Sequence, residues 1–227
     1  MNKKKIAILV GGLPRFSKIT SDLFNSISSQ FETCEIDWFF YLWNYSIPQL
    51  HVHESWLNLN YEKTYDSLSK RLTHNNRLTG LEIGTYENSP ISFIPMFLSL
   101  YRANLMKQKV EIENSFYYDL VIRLRPDMNI IGNIPLDIEE KSILVPHIDY
   151  QGTYRTTIND WFAAGSSDNI NKYVDIVNHV QKYQGLLQWP EMVLSTYLGQ
   201  IDLKPYTSTD VKFIFRPYPD SNLPWTD

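Results

Sequence analysis

The sequence contains almost no cysteine and no long apolar run. Its single cysteine, Cys34, excludes an intramolecular disulfide, and no His or Asp motif surrounds it. We therefore interpret Cys34 as a small buried hydrophobic residue rather than as a catalytic thiol. No run approaches the roughly 20 apolar residues of a membrane-spanning helix, and residues 6–10 are too few for a signal-peptide core. These absences predict a cytoplasmic protein that works in solution or at a membrane surface, without membrane insertion.

The sequence also lacks a basic excess, internal repeats and low-complexity segments. The formal net charge is -4, so no nucleic acid is expected as a partner. A hydrophobic content of 43% and a charged content of 20% are typical of a globular protein with a sizeable core. The length of 227 residues fits a single domain over residues 1–227, with a variable excursion at 45–88 and a tail at 217–227.

Several catalytic and phosphate-binding motifs are missing. Neither Gly-x-Gly-x-x-Gly nor Gly-x-x-x-x-Gly-Lys-Ser/Thr occurs, so dinucleotide and Walker-type phosphate sites are unsupported. Gly-x-Ser-x-Gly is absent too, and no Ser-His-Asp arrangement can be drawn. His51 and His53 alternate as strand residues would, but no third ligand with a known spacing accompanies them. Structural or solvated histidines are therefore favoured over a metal site.

The chain opens with the pattern strand, glycine loop, helix, strand. One apolar run ends at Gly11 and Gly12, and a second ends at Asn44. Apolar residues recur at helical spacing between them, which predicts a βαβ unit in an α/β fold with a mixed, mainly parallel sheet flanked by helices. Further helices are predicted at 62–74, 91–113 and 191–198, with another that Ser167 or Asp168 caps, and further strands at 81–86, 120–125, 142–146, 158–165 and 211–217.

The segment 118–127 is a buried strand that ends in charges. Arg123 and Arg125 share one strand face, and Pro126 is expected to stop the strand before Asp127. Two guanidinium groups beside a carboxylate suit an anionic ligand, with the carboxylate free to hold a ribose, a sugar hydroxyl or a metal. The alternative is a structural ion pair at the end of a strand.

Other polar groups follow predicted strands or begin a helix. In the glycine loop Arg15 could bind phosphate, or be a plain surface arginine. Asn159 and Asp160 form either a site edge or a turn before the small residues that end at Gly165. Glu191 either complements a helix dipole or acts as a general base.

Taken together, these motifs resemble a known family. They are a first strand with Gly-Gly-Leu-Pro-Arg-Phe, a second ending Tyr-Leu-Trp-Asn, the strand Tyr-Asp-Leu-Val-Ile-Arg-Leu-Arg-Pro-Asp, then Asn-Asp-Trp-Phe-Ala-Ala-Gly, and Pro-Glu before a helix. The pattern resembles the small GT-A-like glycosyltransferases of bacterial and viral surface-polysaccharide gene sets. It covers roughly residues 6–198 and is weakest over 45–88.

The resemblance implies a GT-A-like fold with a nucleotide-sugar donor and a glycan or glycoconjugate acceptor. The donor would lie above the carboxyl ends of the strands. The residues implied for it are Gly11, Gly12, Arg15, Asn44, Arg123, Arg125 and Asp127. The residues implied for the sugar and acceptor pocket are His147, Asp149, Asn159, Trp161 and Gly165. Asp160 and Glu191 are the implied catalytic residues.

The resemblance also bears on a metal cofactor. Asp127 occupies the place of the Asp-x-Asp motif that holds Mn²⁺ or Mg²⁺ in GT-A enzymes, but here the motif is Arg125-Pro126-Asp127. Arg125 could therefore replace metal charge at the diphosphate, in a metal-independent mode.

The implied reaction is displacement at the anomeric carbon with a nucleoside diphosphate leaving. Asp160 or Glu191 would deprotonate the acceptor hydroxyl in an inverting enzyme, whereas a retaining one needs no such base. A non-catalytic nucleotide- or glycan-binding module and a sugar nucleotidyltransferase remain alternatives.

Overall fold

The predicted strand–helix–strand opening is present in the computed structural model. The structure describes residues 3–13, 18–44, 59–72, 75–86, 94–125, 128–146, 158, 160–186, 190–208 and 211–215. Its strands are β1 Lys5–Gly12, β2 Glu35–Asn44, β3 Asn76–Thr85, β4 Leu120–Leu124, β5 Met128–Gly132, β6 Ser142–Leu144, β7 Phe162–Gly165, β8 Lys204–Tyr206 and β9 Val211–Phe215. Its helices are α1 Lys18–Gln30, α2 Tyr61–Arg71, α3 Ile94–Asn114, α4 Ser167–Val174 and α5 Pro190–Gln200, with 3-10 helices at Asp175–Asn178 and Val180–Leu186.

One seven-stranded sheet has the order β3-β2-β1-β4-β7-β6-β8. β1 pairs in parallel with β2 and β4, β2 in parallel with β3, and β6 in parallel with β8. β7 runs antiparallel to both of its neighbours, β4 and β6. The prediction of a mixed, mainly parallel sheet flanked by helices is therefore confirmed. β5 and β9 pair separately, as an antiparallel two-stranded sheet.

Helices cover both faces of the sheet, which is why β1 is apolar on both sides. Leu9 points to one face, where α3, α4 and α5 pack, and which we name the α3 face. Ile8 points to the other, where α1 and α2 pack, and which we name the α1 face. Cys34 is buried in the core of the α1 face, so its interpretation as a small hydrophobic residue is confirmed. None of the described helices is long and apolar enough to cross a membrane.

α4 begins one residue earlier than a cap at Ser167 would allow. The Ser166 hydroxyl accepts a hydrogen bond of 3.2 Å from the Asn169 amide, so Ser166 is the N-cap and the predicted caps are wrong. Ser167 instead points into the core, where its hydroxyl donates to Glu111 at 2.6 Å. An N-cap needs a side-chain oxygen placed to accept a hydrogen bond from an amide of the first turn. Only the packing of α4 decides which serine has its oxygen in that place.

A buried ion pair joins α3 to α4 and to the chain before β4. Lys107 and Glu111 are 3.0 Å apart and both are buried. The Lys107 ammonium also donates to Ser167 and Asn171, and Glu111 accepts from the Tyr118 amide. Burial lowers the pKa of Lys107 although Glu111 opposes that change. These hydrogen bonds offset the cost of removing two charges from water.

β3 is longer than predicted, because β2 supplies partners for its polar first half. The prediction began at residue 81, whereas the strand begins at Asn76. The Asn76 side chain accepts from the Trp38 indole at 2.8 Å. Two further β3 side chains, Arg77 and Thr79, bond Asp37 of β2. Polar residues that look like a loop in the sequence are therefore strand residues with cross-strand partners.

Asp37 is the buried centre of a polar cluster beneath the start of β4, in which Arg77 reaches the surface. Its carboxylate accepts two bonds from Arg77, at 2.7 and 2.9 Å, one from Thr79 at 2.6 Å and one from the Tyr118 hydroxyl at 2.7 Å. Burial raises the pKa of Asp37, but these hydrogen bonds outweigh burial and hold it below its usual value. The ionised form of Asp37 is thus part of the folded state.

The substitution Asp37→Asn should destabilise the protein at neutral pH by about 2 kcal/mol, because charged hydrogen bonds are lost from a buried site. A carboxyl whose pKa is lowered by folding contributes stability above its unfolded pKa and loses it as pH falls through its folded pKa. Urea unfolding at several pH values should therefore show a deficit at pH 7 that narrows in acid.

The matched control is Asp137→Asn, since the Lys4–Asp137 pair at 2.6 Å is exposed. We expect no measurable change in the unfolding midpoint for this variant. An unfolding midpoint for Asp37→Asn that equals wild type at pH 7 would contradict the role given to the cluster.

Candidate functional site

The carboxyl ends of β1, β2 and β4 meet the amino end of β7 at one edge of the sheet. Val10 lies beside Leu124, which in turn lies beside Phe162. The residues that follow or precede these strand ends therefore share one rim. We name this rim the carboxyl edge, and define it by Gly12, Asn44, Arg125 and Asp160. In open α/β sheets ligands bind at such an edge.

Two of the helices that start at the carboxyl edge, α2 and α3, are fixed there by hydrogen bonds to β2. The Asn44 amide oxygen accepts from the Leu59 amide at 2.9 Å, just before α2. The Trp43 indole donates to the Pro95 carbonyl at 2.9 Å, in the first turn of α3. Because helix N-termini carry partial positive charge, these helices favour an anion near the edge.

The start of α5 also lies towards the carboxyl edge. α5 ends at Gln200, shortly before Lys204 pairs with Ser142 at the beginning of β6. β6 runs antiparallel to β7, so its beginning lies at the opposite, amino edge. A helix of 11 residues is about 16 Å long. Pro190 and Glu191 are therefore carried back towards the carboxyl edge.

Gly11 and Gly12 require glycine for different structural reasons. A Cβ atom at Gly11 would lie 2.8 Å from the Leu100 amide nitrogen and 2.8 Å from the Ser99 hydroxyl oxygen. Gly11 is therefore required for α3 to pack against β1. Gly12 has a φ of +119°, and among the described residues no atom lies within 4 Å of a Cβ built there. Gly12 thus combines a backbone that disfavours side chains with open space beside the edge.

The two arginines of β4 differ in burial, although both were expected to bind a donor. Arg125 follows the strand and is half-buried. Arg123 is 0% exposed and pairs with Ala163 of β7. Arg123 is thus enclosed in this structure, and its contact with a donor stays a prediction. Arg125 keeps surface at the edge and stays a candidate for anion binding.

Tyr173 is a polar residue of this region that the sequence analysis missed. It is 0% exposed, and among the described residues its hydroxyl has no hydrogen-bond partner. Burial raises the pKa of Tyr173 to about 12, while the charge of Arg123 lowers it and that of Asp160 raises it. The three groups therefore lie close together beneath the edge. Helical periodicity marks Tyr173 only as a core position, so no sequence signal distinguishes its hydroxyl.

Asp160 and Glu191 are the two acids that the structure brings together. Asp160 is 4% exposed, whereas Glu191 is half-buried. Burial raises the pKa of Glu191, a backbone hydrogen bond lowers it, and the negative charge of Asp160 raises it again. A carboxylate with a raised pKa is a stronger proton acceptor. The accessible acid Glu191 is therefore suited to take a proton.

Asn44, Trp161 and Gly165, which were also predicted for the site, lie in three different places relative to the carboxyl edge. Asn44 lies at the edge, where its amide oxygen ties Leu59 to β2. Trp161 packs against the core of the α1 face. Gly165 pairs with Val121 and lies at the other end of β7, because β7 runs antiparallel and leads away from the edge. The structure does not place Gly165 with the other candidate residues.

Five predicted site residues lie outside the described part of the chain. They are Arg15, Asp127, His147, Asp149 and Asn159. His51 and His53 lie outside it as well. Among the residues that the structure describes, no three His, Cys, Asp or Glu side chains are grouped to hold a metal ion. The described residues alone therefore do not form such a metal site.

Among known proteins, the chain is similar to solved structures. No family model matches the chain, and no curated protein matches it. The crystal structure of the glycosyltransferase GlyE from Streptococcus pneumoniae TIGR4 is similar over 92% of this chain, with 14% identity and a TM-score of 0.49. Its apo form is similar over 90% of this chain, with 13% identity and a TM-score of 0.47. The chain spans 46% and 45% of those two chains, which is less than half of their length.

Replacement of Gly11 by alanine should destabilise the fold, because the new methyl group would overlap the α3 backbone. Overpacking of this kind costs about 2 kcal/mol. We expect a lower melting temperature for Gly11→Ala by circular dichroism. The control is Gly199→Ala in α5, where an added Cβ meets no atom within 4 Å and the helix should be slightly stabilised. Equal melting temperatures for wild type and Gly11→Ala would refute the packing argument.

Proposed function

We propose that the protein is a glycosyltransferase that moves a sugar from a nucleotide-sugar donor to a hydroxyl group of a glycan or glycoconjugate. One observation carries the proposal: the carboxyl edge combines groups that favour an anion with a pair of acids. The groups that favour an anion are Gly12, Arg125 and the starts of α2 and α3. The acids are Asp160 and Glu191. The motif pattern of the sequence supports the same class.

The donor diphosphate is proposed to lie over the rim. A guanidinium group binds phosphate oxygens in pairs, so Arg125 is suited to neutralise the charge that grows on the leaving group. No atom of the described residues would meet a Cβ at Gly12, so these residues leave room for a ligand beside the backbone. Arg15, Asn44 and Asp127 are further proposed donor contacts. A divalent cation bound at Asp127 would share the diphosphate charge with Arg125.

The proposed chemistry is one displacement. The acceptor hydroxyl oxygen forms a bond to the anomeric carbon, and the bond from that carbon to the diphosphate oxygen breaks. The hydroxyl proton passes to Glu191, and the nucleoside diphosphate leaves with the electron pair. Glu191 is preferred as base over Asp160 because it is more exposed and has a raised pKa. Buried Asp160 then acts by keeping the Glu191 carboxylate basic.

The biological setting is also a proposal. The resemblance to surface-polysaccharide enzymes favours a cytoplasmic protein that builds a polysaccharide or glycoconjugate. The proposed acceptor pocket is formed by Trp161 together with His147, Asp149 and Asn159. A binding module without catalysis would hold the donor and transfer nothing, and a nucleotidyltransferase would release pyrophosphate from a nucleoside triphosphate.

A donor screen followed by one substitution tests the proposal. Thermal stabilisation by UDP-, GDP- and dTDP-sugars, with and without Mn²⁺, identifies the donor, because a ligand of the folded state raises its melting temperature. We expect hydrolysis or transfer of that donor. In Arg125→Ala kcat/KM should fall by about 100-fold, as for removal of a donor to a developing oxyanion.

The matched control is Arg102→Ala, which removes an exposed arginine of α3. We expect it to keep wild-type kcat/KM. Tight binding of a nucleotide-sugar without hydrolysis or transfer would sink the catalytic proposal and favour a binding module. Normal turnover by Arg125→Ala would show that Arg125 does not contribute to the site.

The pH profile tests the role of Glu191. A base acts only when it is deprotonated, so activity should fall as pH drops through the pKa of folded Glu191, which lies above the ordinary 4.5. Glu191→Gln should lower kcat by about 100-fold and remove this acid limb, since a general base contributes on the order of 100-fold or more. Glu113→Gln, on the exposed surface of α3, should keep the wild-type profile. If Glu191→Gln lost activity at low pH as wild type does, another group would be the base that titrates there.

A further inference from the structure

The hydroxyl of Tyr173 is a buried polar group that has no hydrogen-bond partner among the described residues. Tyr173 is 0% exposed and lies near the end of α4. Two other buried tyrosines of the same core do have partners. The Tyr197 hydroxyl donates to the Lys172 carbonyl at 2.8 Å, and the Tyr183 hydroxyl donates to Gln200 at 2.7 Å. Because buried polar groups in folded proteins are nearly always hydrogen-bonded, the Tyr173 hydroxyl needs a physical explanation.

Tyr173 lies on the same face of the sheet as Arg123 and α5. Arg123 pairs with Leu9 of β1 and with Ala163 of β7. Residues paired across neighbouring strands point to one face, and both partners belong to the core of the α3 face. Tyr173 and the buried residues of α5 belong to that core too. Glu191, in the first turn of α5, is therefore on the same side of the sheet.

Two opposite charges act on the Tyr173 hydroxyl. Burial raises the pKa of Tyr173 to about 12, and the charges of Arg123 and Asp160 act on it in opposite directions. The hydroxyl is therefore neutral at physiological pH and keeps its proton. Arg123 and Asp160 are themselves 0% and 4% exposed. A guanidinium, a hydroxyl and a carboxylate are thus enclosed near one another beneath the carboxyl edge.

The other charged groups beside α4 have partners elsewhere. They are the buried pair Lys107 and Glu111 of α3, the group Asp175, His179 and Lys182 that follows α4, and the exposed pair Asp168 and Lys172 of α4 itself. β6 and β7 contribute no titratable side chain. Among the described residues, Arg123 and Asp160 are the charges that act on Tyr173, and Asp160 also acts on Glu191.

The three enclosed groups are chemically matched for a hydrogen-bond chain. A guanidinium only donates, an ionised carboxylate only accepts, and a hydroxyl does both. The order Arg123, Tyr173, Asp160 therefore gives each group a suitable partner, and such chains strengthen in a place that solvent does not reach. A bond from Tyr173 would hold the Asp160 carboxylate, whose charge adds to burial in raising the pKa of Glu191.

We propose that Tyr173 is a positioning residue for the acid pair. Arg123 donates to the Tyr173 oxygen, and the Tyr173 hydroxyl donates to the Asp160 carboxylate. This bond holds Asp160 beside Glu191 while Glu191 takes the proton of the acceptor hydroxyl. The inference rests on the proposed function. Tyr173 is enclosed in this structure and acts through Asp160.

The first test is a titration that needs no donor. The full chain is labelled with ¹³C at the glutamate carboxyl, and the Glu191 signal is assigned from its loss in Glu191→Gln. In wild type this carboxyl should titrate above the ordinary 4.5. Asp160→Asn should lower its pKa because a negative charge is lost. Tyr173→Phe should lower it by about half as much, because Asp160 keeps its charge and loses its fixed place.

The second test is turnover of the donor found in the nucleotide-sugar screen. Tyr173→Phe keeps the aromatic ring and removes one oxygen, and circular dichroism should show a folded protein. We expect kcat to fall about tenfold, which is less than for loss of the base itself. KM should stay at the wild-type value, since Tyr173 acts on the acids and not on the ligand.

The matched control is Tyr197→Phe. Tyr197 is 3% exposed, lies on α5 with Glu191, and donates to the Lys172 carbonyl at 2.8 Å. Loss of this bond should lower the melting temperature, because the carbonyl loses a buried donor. The Glu191 titration and kcat should stay at their wild-type values. This control separates loss of a structural hydrogen bond from loss of a bond that acts on the acid pair.

Several results would overturn the inference while the proposed function stands. They are a Glu191 titration that is the same in wild type and Tyr173→Phe, an equal shift in Tyr197→Phe, an unchanged kcat in Tyr173→Phe, or a raised KM with unchanged kcat. A different result would refute the proposed function. If Tyr173→Phe shifted the Glu191 titration but wild type neither hydrolysed nor transferred any nucleotide-sugar, Tyr173 would be coupled to the acids of a protein that is not a glycosyltransferase.

Discussion

The close approach of α3 to β1 at Gly11 is the constraint on which the rest of the structure depends. A side chain there would overlap the backbone at Ser99 and Leu100. This contact, with the hydrogen bond from Trp43 to Pro95, sets the start of α3 beside the ends of β1 and β2. The position of α3 thereby places the positive end of its helix dipole beside the carboxyl edge.

The chemistry proposed for the edge follows from an unequal distribution of charge. Helix starts and Arg125 favour an anion on the rim, while Asp160 and Glu191 lie towards α5. Burial separates the two arginines and the two acids into different roles. Arg123 and Asp160 are enclosed near Tyr173 in this structure, whereas Arg125 and Glu191 keep exposed surface.

Much of the site could be anticipated because strand ends are visible in the sequence. Apolar runs that stop at Gly12, Asn44 and Arg125 place these residues at one rim of a parallel sheet. The direction of β7 is different. A short run before Gly165 is compatible with either direction, and only its pairing with β4 shows that Gly165 lies away from the rim. Tyr173 was hidden for a related reason, since a buried tyrosine has the same periodicity as any core residue.

The sequence by itself determined the α/β class, the buried strands β1, β2 and β4 and the start of α5 at Pro190, because each depends on local apolar pattern or on proline geometry. Only the tertiary structure decided the burial of Lys107 and Glu111, which alone would be an ordinary surface pair. It also decided that polar Arg77 belongs to a strand. The physical reason is the same in both cases: the buried charges of Lys107, Glu111 and Asp37 are tolerated because partners distant in the chain, Arg77 among them, supply hydrogen bonds to them.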